Sequence, residues 1–103
     1  MSKWVEVASV AEFNHTDRKL VDLGGNLQIG VFKCGNDFFA VSAWCSHQKA
    51  TMFHGEVMDH KLECPLHGAQ FCLRTGQHLS LPAVKPIPRY ELKIENGKIF
   101  LNI

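Results

Sequence analysis

Two short loops constrain this chain more than any other feature. Cys45-Ser46-His47 and Cys64-Pro65-Leu66-His67 each carry one thiol and one imidazole, and sixteen residues, 48 to 63, separate His47 from Cys64. That interval suits a β-hairpin that folds back and sets the two loops side by side. A fold that does so makes a site with four ligands, two of sulfur and two of nitrogen.

Such a set can hold zinc tetrahedrally, or a [2Fe-2S] cluster with two Cys on one iron and two His on the other. Structural zinc sites usually pair like ligands within each knuckle, as C-x2-C and H-x3-5-H. Here each loop supplies one of each. A two-iron cluster accounts for that split, because each iron takes one ligand from each loop. The spacing favours the cluster, with a structural zinc module that binds a protein partner as the alternative.

The rest of the chain reads as β. Trp4-Val5-Glu6-Val7 alternates, and Ser9 with Glu12 makes a capping-box pattern that opens one short helical turn through Phe13. Lys19 to Asp22 and Leu27 to Lys33 flank the hairpin signal Gly24-Gly25-Asn26, and Gly35-Asn36-Asp37 turns the chain into Phe38 to Ser42, which leads to Cys45. Between the ligand loops, Asp59-His60 is a tight turn joining two short runs. Ala69 to Leu73 reads as a strand that ends at Arg74-Thr75-Gly76. Pro82, Pro86 and Pro88 exclude a central strand and imply an extended surface segment that braces the loops. Tyr90 to Ile94 and Ile99 to Ile103 close the chain around Asn96-Gly97, where a type I′ turn needs positive φ at both central residues. Many short strands with regular turns indicate an all-β fold, an antiparallel sandwich or barrel.

At 103 residues the chain makes one domain with a modest core. Eleven basic and ten acidic residues are interspersed, giving a net charge of +1 without the basic stripe that a nucleic-acid partner would require. The amino terminus lacks the apolar run of a signal peptide and no stretch approaches the length of a membrane span, so a soluble cytoplasmic protein is expected. In that compartment four cysteines point to metal chemistry rather than to disulfides.

Cys45-x-His47, Cys64-Pro65-Leu66-His67-Gly68, Phe71 and Thr75-Gly76 together resemble the Rieske ferredoxins that feed aromatic-ring dioxygenases. Trp4, Pro82-Ala83, Pro86, Tyr90 and the closing hairpin extend the resemblance over almost the whole chain. It implies one Rieske domain over residues 1 to 103, a sandwich or barrel with a small cluster-binding subdomain at about 43 to 73. Cys45 and Cys64 would hold the inner iron of one [2Fe-2S] cluster, and His47 and His67 the outer iron. The implied protein is not an enzyme but a monomeric one-electron carrier, taking electrons from a flavoprotein reductase and passing them to a terminal oxygenase. Neutral imidazoles in place of thiolates remove negative charge and raise the potential to about −150 to +300 mV. Pro65 would fix the turn and Gly68 would let backbone N–H groups approach the sulfides.

High-potential relatives resemble the respiratory subunits, with an extra Cys in each loop joined by a disulfide and with hydroxyl groups near the cluster. The matching positions here are Ala50 and Leu66 for the cysteines, and Ala69 and Phe71 for the hydroxyls. The expectation is a potential at the lower end of the Rieske range. Where many ferredoxins read Leu-Ser-Glu-Gly this chain has Met52-Phe53-His54-Gly55, and Trp44 precedes the first ligand. Trp44, Phe53 and His54 would form an apolar docking rim near the imidazoles, the small interface that electron transfer uses. For Trp44 a core position is equally open.

Cys34 and Cys72 read as small buried hydrophobes, and His15, His60 and His78 as surface residues. No motif remains for a mononuclear iron of two His and a carboxylate, so the chain should not be an oxygenase by itself. The small subunit of a nitrite-reductase-like enzyme shares the implied fold and is the alternative within redox proteins. A Cys-His nucleophile is the weakest rival, since such enzymes assemble the base from distant sequence.

Overall fold

The computed structural model of the chain describes residues 3–24, 27–44, 53–64, 68–79 and 87–103. Its strands are β1 (Trp4–Ser9), β2 (Arg18–Asp22), β3 (Gln28–Cys34), β4 (Asp37–Ser42), β5 (Val57–Met58), β6 (Lys61–Glu63), β7 (Gln70–Cys72), β8 (Arg89–Tyr90), β9 (Leu92–Glu95) and β10 (Lys98–Asn102). They pair antiparallel in three sheets, ordered β1-β10-β9, β2-β3-β4-β8 and β5-β6-β7. The expected all-β architecture is present.

The pleat of β3 and β4 explains how the sheets stack. Successive side chains of a strand point to opposite faces, and both faces of this central pair are buried. Ile29, Val31 and Ala40 join Ala8, Phe13, Ile99 and Leu101 in one core, against the β1-β10-β9 sheet. Phe32 and Val41 point the other way, into a second core with Leu62, Cys64, Ala69, Phe71, Leu73 and Ile87. The central sheet therefore divides a base core from the core on which the hairpin that ends at Cys64 rests. Gly30 serves the second core, because a Cβ there would lie 2.6 Å from the Phe32 ring.

Local turn chemistry sets the hairpins. Asn96 and Gly97 have φ of +52° and +75°, and Asp59 and His60 have φ of +57° and +65°, the signs that type I′ turns demand. The Ser9 N–H donates to Glu12 Oε2 at 2.7 Å, opening a 3-10 turn over Val10–Phe13 that drops Phe13 into the base core.

Three expectations need correction. Tyr90 is not part of the closing hairpin: it lies in β8, opposite Ala40 of β4, and the chain changes sheets at Glu91. Pro88 sits just before this two-residue edge strand, and its carbonyl accepts the Ser42 N–H at 2.8 Å. His60 is half-buried, with its ring edge-on to Phe39 at 5.5 Å. Cys34 and Cys72 are half-buried free thiols rather than fully buried. Pro82 and Pro86, and the bracing role assigned to their segment, lie outside the described residues.

Candidate metal centre

The second ligand loop is mounted on β6 and β7. Glu63 pairs with Gln70, and beyond that rung the Cys64 N–H donates to the Ala69 carbonyl at 2.7 Å while the Gly68 N–H donates to the Cys64 carbonyl at 3.0 Å. Gly68 closes the turn at φ +73°, a conformation that costs an L-residue. The backbone of Cys64 is thus satisfied inside its own loop, leaving the thiol to do the chemistry.

Cys64 is only 1% exposed and is packed with Leu62, Ala69 and Phe71. Cys64 is unbridged, so its sulfur is available as a candidate ligand. Ala69 and Phe71, the positions read as lacking hydroxyls, are fully buried in the same core.

Cys45, His47 and His67 lie outside the described residues, as do Pro65, Ala50 and Leu66. Among the described residues no group of three or more His, Cys, Asp and Glu is placed to hold a metal ion. With one of the four candidate ligands described, the full ligand set is argued from its donor chemistry.

The ends of the first ligand loop are described. At its start the Ala43 N–H donates to the Gln28 carbonyl at 3.0 Å and the Trp44 N–H to Ser42 Oγ at 3.1 Å. Trp44 is 38% exposed, which rules out the core position and suits a docking rim. Phe53 behaves differently. Its ring packs on the core around Cys64 and tilts against Phe32 at 6.1 Å, so it belongs to the core's edge rather than to a docking rim. His54 is exposed and stands edge-on to Phe53 at 5.3 Å.

Arg18 is a contributor that the sequence did not announce. Its Nη1 donates to the carbonyls of Phe53 and Gly55, both at 2.6 Å, and its Nε donates to Asp17 Oδ1 at 2.8 Å. That hydrogen bond holds the Asp17 carboxyl below its ordinary range, against some loss of solvent. Nothing local in the sequence links Arg18 to residues 35 and 37 positions away.

The described geometry is that of an antiparallel β sandwich with a buried, unbridged cysteine at the end of a hairpin strand. The chain belongs to the Rieske [2Fe-2S] domain family, whose pattern matches residues 3–91. It is 43% identical over 76 residues to the 3-phenylpropionate/cinnamic acid dioxygenase ferredoxin subunit of Escherichia coli (strain K12), covering 73% of this chain and 72% of that one. The ferredoxin of carbazole 1,9a-dioxygenase from Nocardioides aromaticivorans IC177 has the same fold, with a TM-score of 0.87 at 29% identity over 96% of each chain. A chain in the complex of reduced oxygenase and oxidized ferredoxin in carbazole 1,9a-dioxygenase gives a TM-score of 0.88 at 26% identity, covering 95% of this chain and 91% of that one.

Proposed function

We propose that this chain is the ferredoxin component of an aromatic-ring dioxygenase system, a carrier that takes one electron at a time from a flavoprotein reductase and delivers it to a terminal oxygenase. The observation that carries the reading is Cys64: a buried, unbridged thiol held at the mouth of the hairpin loop, in a Rieske chain with 43% identity to a dioxygenase ferredoxin subunit. Cys45, His47, Cys64 and His67 would hold the [2Fe-2S] cluster, one per chain, with the thiolates on the inner iron and the imidazoles on the outer iron.

When bound, a cluster so ligated supplies one-electron transfer at about −150 to +300 mV. The chain's own residues do the rest. The apolar core of Phe32, Leu62, Phe71 and Leu73 keeps water from Cys64. The Cys64–Ala69 and Gly68–Cys64 hydrogen bonds hold the backbone of Cys64 in place. Trp44 offers a flat apolar contact for a weak, short-lived complex.

The domain would span residues 1 to 103 as a cytoplasmic monomer; no helix among the described residues is long and apolar enough to cross a membrane. The test is chemical and functional. Purified protein should contain iron and sulfide in equal amounts, and its reduced form should restore turnover to a reductase and oxygenase pair deprived of its ferredoxin. Zinc in place of iron and sulfide would leave only the interaction-module alternative.

A further inference from the structure

Phe53 lies six positions after His47 in the sequence, and a single guanidinium from β2 grips the backbone there. Arg18 Nη1 donates to two carbonyls, Phe53 and Gly55, each at 2.6 Å. Its Nε and Nη2 engage Asp17 at 2.8 and 3.3 Å, and its Cζ lies 5.2 Å from the centroid of the Phe32 ring. Phe32 in turn contacts Phe53 and belongs to the core that contains Cys64.

We propose that Arg18 is a positioning residue for the metal centre, tying β2 to the backbone at Phe53 and Gly55, which leads into the hairpin that carries Cys64. The inference rests on the cluster reading of the site. Three features assign the role to Arg18 rather than to general packing. The guanidinium is mostly buried, its side chain 18% exposed, where hydrogen bonds to a charged donor count for more. Asp17 balances its charge, so the residue acts through the position of its donors more than through a net field on the cluster. The planar fork serves the carboxylate and both carbonyls at once, which the single ammonium of lysine cannot reproduce. Arg18 would touch neither iron nor sulfide; it acts through the backbone at Phe53 and Gly55.

The test compares wild-type holoprotein with Arg18→Met, Arg18→Lys and Lys19→Met. Lys19 lies next to Arg18 on β2 but ties only base elements together, donating to Val7 O at 3.0 Å and Glu12 Oε1 at 2.7 Å, so it controls for loss of global stability. Bleaching of the visible absorbance under an iron chelator should run about ten- to a hundredfold faster in Arg18→Met, the range expected from losing hydrogen bonds to a charged donor. Arg18→Lys should fall in between. The electron paramagnetic resonance lines of Arg18→Met should broaden as the ligand geometry loosens, while Lys19→Met keeps the wild-type lifetime and spectrum. Equal lifetimes and spectra in wild type and Arg18→Met overturn the proposal, and so does a Lys19→Met variant that loses iron as fast as Arg18→Met. Wild type that carries zinc overturns the functional reading instead. Amide exchange over residues 53 to 64 of that protein then decides the role of Arg18: faster exchange in Arg18→Met upholds the tie, and unchanged exchange ends it.

Discussion

The Cys64 N–H donates to the Ala69 carbonyl at 2.7 Å, so the candidate ligand and the residue that closes its loop are locked together across four intervening residues. This bond continues the β6–β7 ladder by one rung beyond Glu63 and Gln70. Gly68, between them, takes the left-handed conformation that completes the turn at φ +73°.

Gly68→Ala isolates the cost of that conformation. Among the described residues a Cβ at Gly68 meets nothing closer than Glu63 Oε1 at 3.7 Å, so the expected penalty is backbone strain. Chemical denaturation should show a loss of about 1 kcal/mol, together with faster cluster loss because the Gly68–Cys64 bond is strained.

Gly76→Ala should cost more. Gly76 also has positive φ, +77°, but its Cβ would run into the Ile87 carbonyl oxygen, while Ile87 N–H donates to Gly76 O at 2.8 Å. Strain and overpacking together predict a loss of about 3 kcal/mol. A Gly76→Ala variant no less stable than Gly68→Ala would contradict this account of the contact.

Ala69→Ser and Phe71→Tyr test the electronic reading of the second core. Both positions are fully buried beside Cys64, and a hydroxyl donor added there opposes the negative charge that reduction adds. One net hydrogen bond of about 1 kcal/mol corresponds to a rise on the order of 40 mV for one electron. Redox titration of each variant checks the sign, and a fall in midpoint would refute it.

Acid should weaken the base through Asp17. Its carboxyl is held below the ordinary value of 3.8 by the hydrogen bond from Arg18. A depressed folded-state pKa contributes stability above that ordinary value, and the contribution is lost as pH falls through the lowered one. The carboxylate is more than half exposed, so Asp17→Asn should cost no more than about 1 kcal/mol at pH 7. The gap between variant and wild type should close in denaturation curves taken below the ordinary Asp value.

The two non-ligand thiols should differ in reactivity. Burial pushes the Cys34 thiol up, with the Asp17 and Asp37 carboxylates adding to it. Burial also pushes Cys72 up, but the Thr75 hydroxyl, the Arg74 and Thr75 N–H groups and the Arg74 charge together bring it below the ordinary thiol value. Since the thiolate is the reactive form, iodoacetamide at neutral pH should label Cys72 several-fold faster than Cys34, read by peptide mass spectrometry.

What was legible in the sequence was what short-range chemistry controls. Asn96-Gly97 and Asp59-His60 declare their turns because few residues accept positive φ, and Ser9 with Glu12 declares the 3-10 turn because both partners lie within it. The hairpin that ends at Cys64 was legible because Asp59-His60 marks its turn. Arg18 was not, since its acceptors are backbone carbonyls that carry no residue signature. Tyr90 was misplaced because alternation cannot tell which of two sheets a short strand joins. Trp44 and Phe53 looked alike as rim residues, yet only the fold separates the one that is exposed from the one packed against the core.

The most direct test of the central claim is an anaerobic reductive titration of the purified protein followed by electron paramagnetic resonance. A reversible one-electron signal of the mixed Cys/His type, with a midpoint toward the lower end of about −150 to +300 mV, is the predicted result. A protein that gives no such signal and holds zinc instead of iron and sulfide would contradict it.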